Sequence, residues 1–339
     1  MCKNVLSLIK LKNKVMFNEN INSILEVARA FPTEEACIKH LEALYWNNIP
    51  VSPFDKESKV YVCKNNRYRC KTSGKYFTVK TGSMFDGTKI ELPKWFMAIF
   101  LITTHTKGMS SVQLAKDLQI SQKGAWFMLM RIRKCFEIEN NTDDKFEGIC
   151  EADESFVGGK NKNRHKDKKV PMSQGRSFKD KTPVLGVLQR GEFEMVDGKK
   201  IAHSHSKVKC LVAENTKKES IQPFIKTVVI KDSVLISDEW HGYRGLENTY
   251  DHHVVDHAKK QYVDFDNPEI HSNSIEGFWG IMKRSYNGTY NWWSKKHMQN
   301  YVDEFVFRFN LRTCQNNERF NSLILNSQIR TKYKDLMND

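Results

Sequence analysis

Apolar residues return at helical spacing through residues 20–47: Ile21, Ile24, Leu25 and Ala28, then Ala36, Leu41, Leu44 and Tyr45. The break at Phe31-Pro32-Thr33 predicts two helices, the second opened by Thr33. From 48 to 90 the pattern becomes short alternating stretches, among them Lys59-Val60-Tyr61-Val62 and Lys75-Tyr76-Phe77-Thr78-Val79. This predicts a small antiparallel β element. Helical periodicity returns over 91–138. Residues 146–240 alternate short strand-like runs with loops, 271–313 is helical again, and a polar helix follows Asn316. No internal repeat or low-complexity tract is present. The pattern divides the chain into an N-terminal helical segment (1–47), the β element (48–90), a second helical region (91–140), an α/β region (146–313) and a C-terminal tail (314–339).

The chain has 339 residues, 40% of them hydrophobic, enough for a substantial core and for two or three domains. Wholesale disorder is excluded. Eight scattered cysteines do not form a disulfide-dense block, which points to a reducing compartment. The longest nearly unbroken apolar run, Trp95 to Ile102, is far too short to span a bilayer. With no signal peptide evident, a cytoplasmic protein without a membrane partner is expected.

Charge changes the picture more. The net charge is +14, a field that attracts polyanions, although a basic balance also serves solubility. Residues 1–145 hold 23 Lys and Arg against 14 Asp and Glu; the rest hold 31 against 26. The N-terminal part is the more basic per residue. Within it, residues 108–134 predict two short helices with a break at Gln119-Ile120-Ser121-Gln122. That is the frame of a helix-turn-helix. Lys123, Arg131, Arg133 and Lys134 would then supply DNA contacts. A plain helical hairpin with solvated lysines is the alternative.

Upstream, Cys70-Lys71-Thr72-Ser73-Gly74-Lys75 is spaced like a zinc knuckle whose second cysteine has become Ser73. Ser52-Pro53-Phe54-Asp55 stands where the partner knuckle would be. One of four thiolates remains, with Cys63 as an unmatched extra, so no structural zinc is expected and the segment reads as a degenerate zinc ribbon.

Three acids stand out by their surroundings. Asp153 lies in the strand-like run Glu147 to Val157, before Gly158-Gly159. Asp238 ends the run Ser233 to Asp238. Glu276 lies in a helical segment whose apolar side is Ile275, Phe278, Trp279 and Met282. A carboxylate in an apolar strand is costly to bury, and a divalent metal offsets that cost. Two strand acids and one helix acid can hold two Mg²⁺ ions about 3.5–4 Å apart for in-line phosphoryl transfer. Taken singly, each acid could be a cap or a surface charge; Asp238 could cap the turn that follows it.

These motifs, in this order, resemble bacterial insertion-sequence transposases of the DDE type, in the group related to Merlin elements. The resemblance spans about residues 36–313. It is most specific at Ala152 to Gly159, Ser237 to Tyr243 and His271 to Trp279, with Lys296-His297, Tyr301, Glu304-Phe305 and Arg308-Phe309-Asn310 following. It implies an α/β fold with an RNase H-like catalytic core and a mixed sheet. It implies metal-dependent cleavage and strand transfer at an element's terminal inverted repeats. Asp153 and Asp238 map onto the first two metal-binding acids. The third is Glu276 or Asn273, three residues apart on one helix; Glu276 is favoured because a carboxylate binds Mg²⁺ more strongly than an amide. Lys283 matches a basic residue that contacts a DNA phosphate. The implied cofactor is Mg²⁺ or Mn²⁺. The implied partners are double-stranded DNA, at element ends and target, and further copies of the chain in a dimer or higher oligomer. Location on the nucleoid follows from DNA binding.

The basic run Lys160 to Lys169 follows the first acid, so Lys160, Lys162, Arg164 and Lys166 are expected at DNA. Trp292 and Trp293 could stack on an extruded base or belong to a core. Two alternatives stand beside a transposase: a transposase-derived DNA-binding protein without catalysis, and an RNase H-like nuclease.

Overall fold

The computed structural model describes residues 21–158, 165–171, 181–196, 199–255 and 270–338. It divides into two compact units, one of residues 1–136 and 314–339, the other of 137–313.

In the first unit, helices α1 (Ile24–Ala30) and α2 (Glu34–Trp46) follow the two apolar stripes. Ser23 and Glu26 close a capping box on α1. Thr33 caps α2 by accepting the Ala36 N–H, and Asn47 ends it in the left-handed region. Strands β1 (Val60–Val62), β2 (Tyr68–Cys70) and β3 (Tyr76–Phe77) form a three-stranded antiparallel sheet. Its inner side, Val60, Tyr68, Cys70 and Phe77, packs on Trp46.

Helices α3 (Leu92–Thr104), α4 (Ser111–Leu118) and α5 (Gln122–Asn140) follow. Ser110 caps α4 through the Gln113 N–H. The C-terminal helix α9 (Asn316–Leu325) belongs to this unit and buries Phe320, Leu323 and Ile324; α10 (Tyr333–Asn338) ends the chain. The apolar residues of α9 make it part of the core rather than a polar tail. Helix α6 is Lys218–Val228, α7 Asn273–Ser285 and α8 Met298–Asn310, all in the second unit.

The second unit is built on a five-stranded mixed sheet. Its strands are β4 (Ile149–Val157), β5 (Thr182–Gln189), β8 (Lys207–Val212), β9 (Val234–Asp238) and β10 (Asp251–Val255), in the spatial order β10-β9-β4-β5-β8. A separate hairpin, β6 (Phe193–Val196) with β7 (Lys199–Ala202), is inserted between β5 and β8. Strands β4, β5 and β8 run antiparallel, whereas β9 and β10 run parallel to β4. The crossover from β8 to β9 carries α6. This topology fits an RNase H-like core.

Each sheet face has its own helices, so strand alternation sorts side chains between two cores. Cys150, Ala152, Leu185 and Val187 meet Ile221 and Ile225 of α6 on one face. Val157, Val184, Leu188 and Val208 meet Ile275, Phe278, Trp279 and Met282 of α7 and Val302 and Phe305 of α8 on the other.

His40, on α2, gives the first unit a pH signature. It is half-buried against Phe31 and Phe96, with its Nε2 2.9 Å from Asn321 Oδ1. Burial pushes its pKa down from 6.5 to about 4. Between those values the unfolded chain binds the extra proton and the folded chain does not. The first unit should therefore lose stability as pH falls from 6.5 toward 4. Denaturation midpoints measured across this window should show that slope, and His40→Phe should flatten it.

Candidate active site

Strand β4 presents Glu151, Asp153 and Val157 to the α7 face. Its parallel partner β9 pairs Ile149 with Val234, Cys150 with Leu235 and Glu151 with Ile236. The same register, continued two residues, sets Asp238 level with Asp153. Asp238 is buried at the end of its strand, and its Oδ1 accepts the Trp240 N–H at 3.1 Å. It thus caps the following turn and still bears on its neighbour.

Among the three acids, Asp153 bears a marked electrostatic load. Its pKa is pushed up from 3.8 to about 7, chiefly by burial and next by the charge of Asp238, with a further contribution from Glu276. A hydrogen bond from the Trp279 indole, Nε1 to Oδ2 at 3.0 Å, works in the opposite direction. Asp153 therefore senses both other acids, although 85 and 123 residues separate it from them in the chain. Glu276 is exposed on the first turn of α7 and accepts from the Ser272 hydroxyl at 3.4 Å. Asn273 is exposed at the start of α7, where its N–H meets His271 Nδ1. Lys283 is exposed farther along the same helix.

Two features hold α7 against β4. Glu151 is fully buried and accepts from Arg190 Nε at 2.5 Å and from the Ile275 N–H at 2.9 Å. Its carboxylate satisfies an otherwise orphaned donor at the helix N-terminus. Arg190 also donates to the His271 carbonyl at 2.6 Å, just ahead of the helix. The second feature is Gly186, which pairs with Asp153 across β4 and β5. A Cβ there would lie 2.6 and 2.7 Å from Trp279 ring atoms. The bare glycine lets the indole lie flat enough on the sheet to reach Asp153. The sequence signal for Gly186 was a lone glycine inside a strand, which often marks a close approach. Trp279 was legible only as part of an apolar stripe.

Carboxylate oxygens are the donor chemistry that Mg²⁺ or Mn²⁺ takes. Among the described residues, no three such side chains already stand at metal-ligand spacing.

Residues 145–310 match the ISXO2-like transposase domain family. The chain carries an insertion-sequence transposase domain. A protein of the transposable element ISH50 from Halobacterium salinarum, itself uncharacterized, is 23% identical over 295 residues, which cover 83% of this chain and 92% of that protein. The matched segment of the transposase domain includes all three acids, Glu151, Gly186 and Trp279.

The expected DNA contacts of the N-terminal region are distributed otherwise than the sequence pattern suggests. Arg131 is buried, donating to the carbonyls of Thr331 at 3.0 Å and Asp86 at 2.7 Å. Arg133 is 1% exposed and lies against Met130. Helix α5 also buries Ala125, Met128, Leu129, Ile132 and Phe136, so apolar contacts surround it and these two arginines belong to the interior. Lys123 is exposed, 5.2 Å from the Tyr333 ring, and Lys134 is half-buried. Lys166 is exposed; Lys160, Lys162 and Arg164 lie outside the described residues. Trp293 is core, whereas Trp292 is 68% exposed. No helix among the described residues is long and apolar enough to cross a membrane.

In the β element, the hydroxyls of Ser52, Ser58 and Ser73 surround Cys70 Sγ and lower its pKa from 9.0 to about 6. The thiol donates to Ser58 Oγ at 3.2 Å. Two of the positions with knuckle spacing, Ser52 and Ser73, thus meet at Cys70, joined by Ser58. Hydroxyls and a single thiol are a poor ligand set for Zn²⁺.

Two predictions arise from the site. In the folded domain Asp153 keeps its proton up to about pH 7, and unfolded it releases the proton near 3.8. Stability therefore falls as pH rises through this window, and the cost is complete above it. Asp153→Asn should stabilise the metal-free domain at pH 8 by a few kcal/mol at most, since each tenfold change in proton affinity is worth about 1.4 kcal/mol. The gain in Tm, measured in chelator, should vanish toward pH 4. Gly186→Ala should cost about 1–3 kcal/mol and displace Trp279, read as a lower Tm with altered indole fluorescence.

Proposed function

We propose that this chain catalyses DNA cleavage and strand transfer at the ends of its element, using Asp153, Asp238 and Glu276. The observation that carries the reading is the half-buried Asp153 carboxyl, its pKa raised to about 7 beside two further acids. Such a group is costly for a purely structural role, and perturbed acids of this kind concentrate at functional sites. Glu276 is preferred to Asn273 as the third member because its charge bears on Asp153. The three carboxylates would hold Mg²⁺ or Mn²⁺, which when bound supplies activation of the attacking oxygen and charge stabilisation at the leaving 3′-oxygen.

The chain's own residues have defined parts in this reading. Asp153 and Asp238 offer their oxygens from adjacent strands, and α7 brings Glu276 to them. Trp279 orients one Asp153 oxygen, and the Glu151–Arg190 pair holds the helix that carries Glu276. Lys283 would meet a phosphate of the substrate near the site. The substrate is double-stranded DNA, and synapsis of two ends calls for a dimer or higher oligomer.

The test is a strand-transfer assay with labelled duplexes bearing the element's ends, in Mg²⁺ or Mn²⁺. Joined products should form with the wild type and fall more than about a hundredfold, beyond the range for losing a residue that only supports a metal ligand, in Asp153→Ala, Asp238→Ala and Glu276→Ala. DNA binding should persist in all three. Binding without joining by the wild type would favour a DNA-binding derivative, and free ends without joining a nuclease.

A further inference from the structure

The three-stranded sheet of the first unit has an outer face that its core does not use. Cross-strand register places Tyr61 beside Arg69 and Arg69 beside Tyr76, so the three stand in a row across the strands. Tyr61 is 43% and Tyr76 52% exposed. The guanidinium carbons of Arg67 and Arg69 lie 4.8 and 5.8 Å from the centroid of Tyr76, and Lys59 Nζ lies 5.7 Å from that of Tyr61. Arg69 Nε is further tied to the Gly74 carbonyl at 3.4 Å. Residues 51–80 hold eight Lys and Arg against two Asp and Glu.

We infer that this face grips duplex DNA through its phosphate backbone. A guanidinium resting on an aromatic ring loses less freedom on binding, because the ring already restricts its plane. Its N–H edge remains suited to a phosphate. Two such groups on one ring, with a lysine on the neighbouring ring, make a fixed row of cations on a rigid sheet. The inner face of the same sheet is committed to Trp46, so this arrangement has a single open side. Phosphate contacts carry no base sequence, and the face would add affinity rather than specificity. It also assigns backbone contact to a surface other than that of Arg131 and Arg133, which are buried. The choice of DNA over another polyanion rests on the transposase reading; the grip itself is independent of the three acids.

The experiment uses the full chain, chelator to prevent cleavage, and a fluorescent duplex of arbitrary sequence. Anisotropy titrations over a range of salt give the affinity and its salt slope. Arg67→Ala with Arg69→Ala should leave Tm unchanged, weaken binding about tenfold, and make the log–log salt slope shallower by about 1.8, the value for two lost phosphate contacts. Tyr76→Ala should weaken binding by a smaller factor, and Tyr76→Phe should restore it. Should one variant fail to fold, the other decides. Folded variants with unchanged affinity and slope would overturn the proposal. So would a loss confined to a single-stranded oligonucleotide, or to a polyglutamate peptide, which would mark the face for unpaired DNA or for an acidic protein. A chain that binds duplex through this face but joins no ends would refute the catalytic reading and leave this one standing.

Discussion

The parallel pairing of β4 with β9 is the constraint on which the second unit turns. It sets two aspartates level on adjacent strands, on the face that α7 covers. Like charges placed this way repel, and burial removes the water that would screen them. Two residues earlier on the same strand, Glu151 shows how the same face treats an acid that is meant to be satisfied. It meets a guanidinium and a helix-terminal amide, whereas Asp153 meets the Glu154 N–H, one indole N–H and the charges of two further acids. One strand thus holds a carboxylate that anchors a helix beside a carboxylate left electrostatically loaded. The anchoring permits the loading, because without it the helix bearing the third acid could move away from the repulsion.

Much of this was legible in the chain. Strand alternation around Asp153 and Asp238, and the apolar stripe beside Glu276, are local patterns. Each acid lies on the element that periodicity gives it. Thr33 and Ser110 cap the helices they precede for equally local reasons. What escaped was set by contacts between distant residues. Arg131 and Arg133 look like a basic edge on a helix, and charge on a helix says nothing about what packs over it. The carbonyls that receive Arg131 come from Asp86 and Thr331, 45 residues before it and 200 after it. Arg190 and Trp279 are likewise ordinary in sequence and acquire meaning only beside Glu151 and Asp153.

The β element is held together by hydrogen bonds around one thiol and by apolar packing on one side. Ser52, Ser58 and Ser73 gather around Cys70 and hydrogen-bond with it. Tyr68, Phe77 and Trp46 supply the apolar contacts. Packing on one side leaves the other free, which is why its tyrosines and arginines stand in the open.

The tight fit of Trp279 over Gly186 changes how inheritance would act on such an element. Mobile sequences multiply, and their copies drift. On the proposed reading, a copy would first be judged by its three acids. Yet Gly186 has no functional group at all, and one added methyl there reaches the indole that touches Asp153. On the proposed catalytic reading, a copy falls silent with every acid in place, its decay recorded in a glycine.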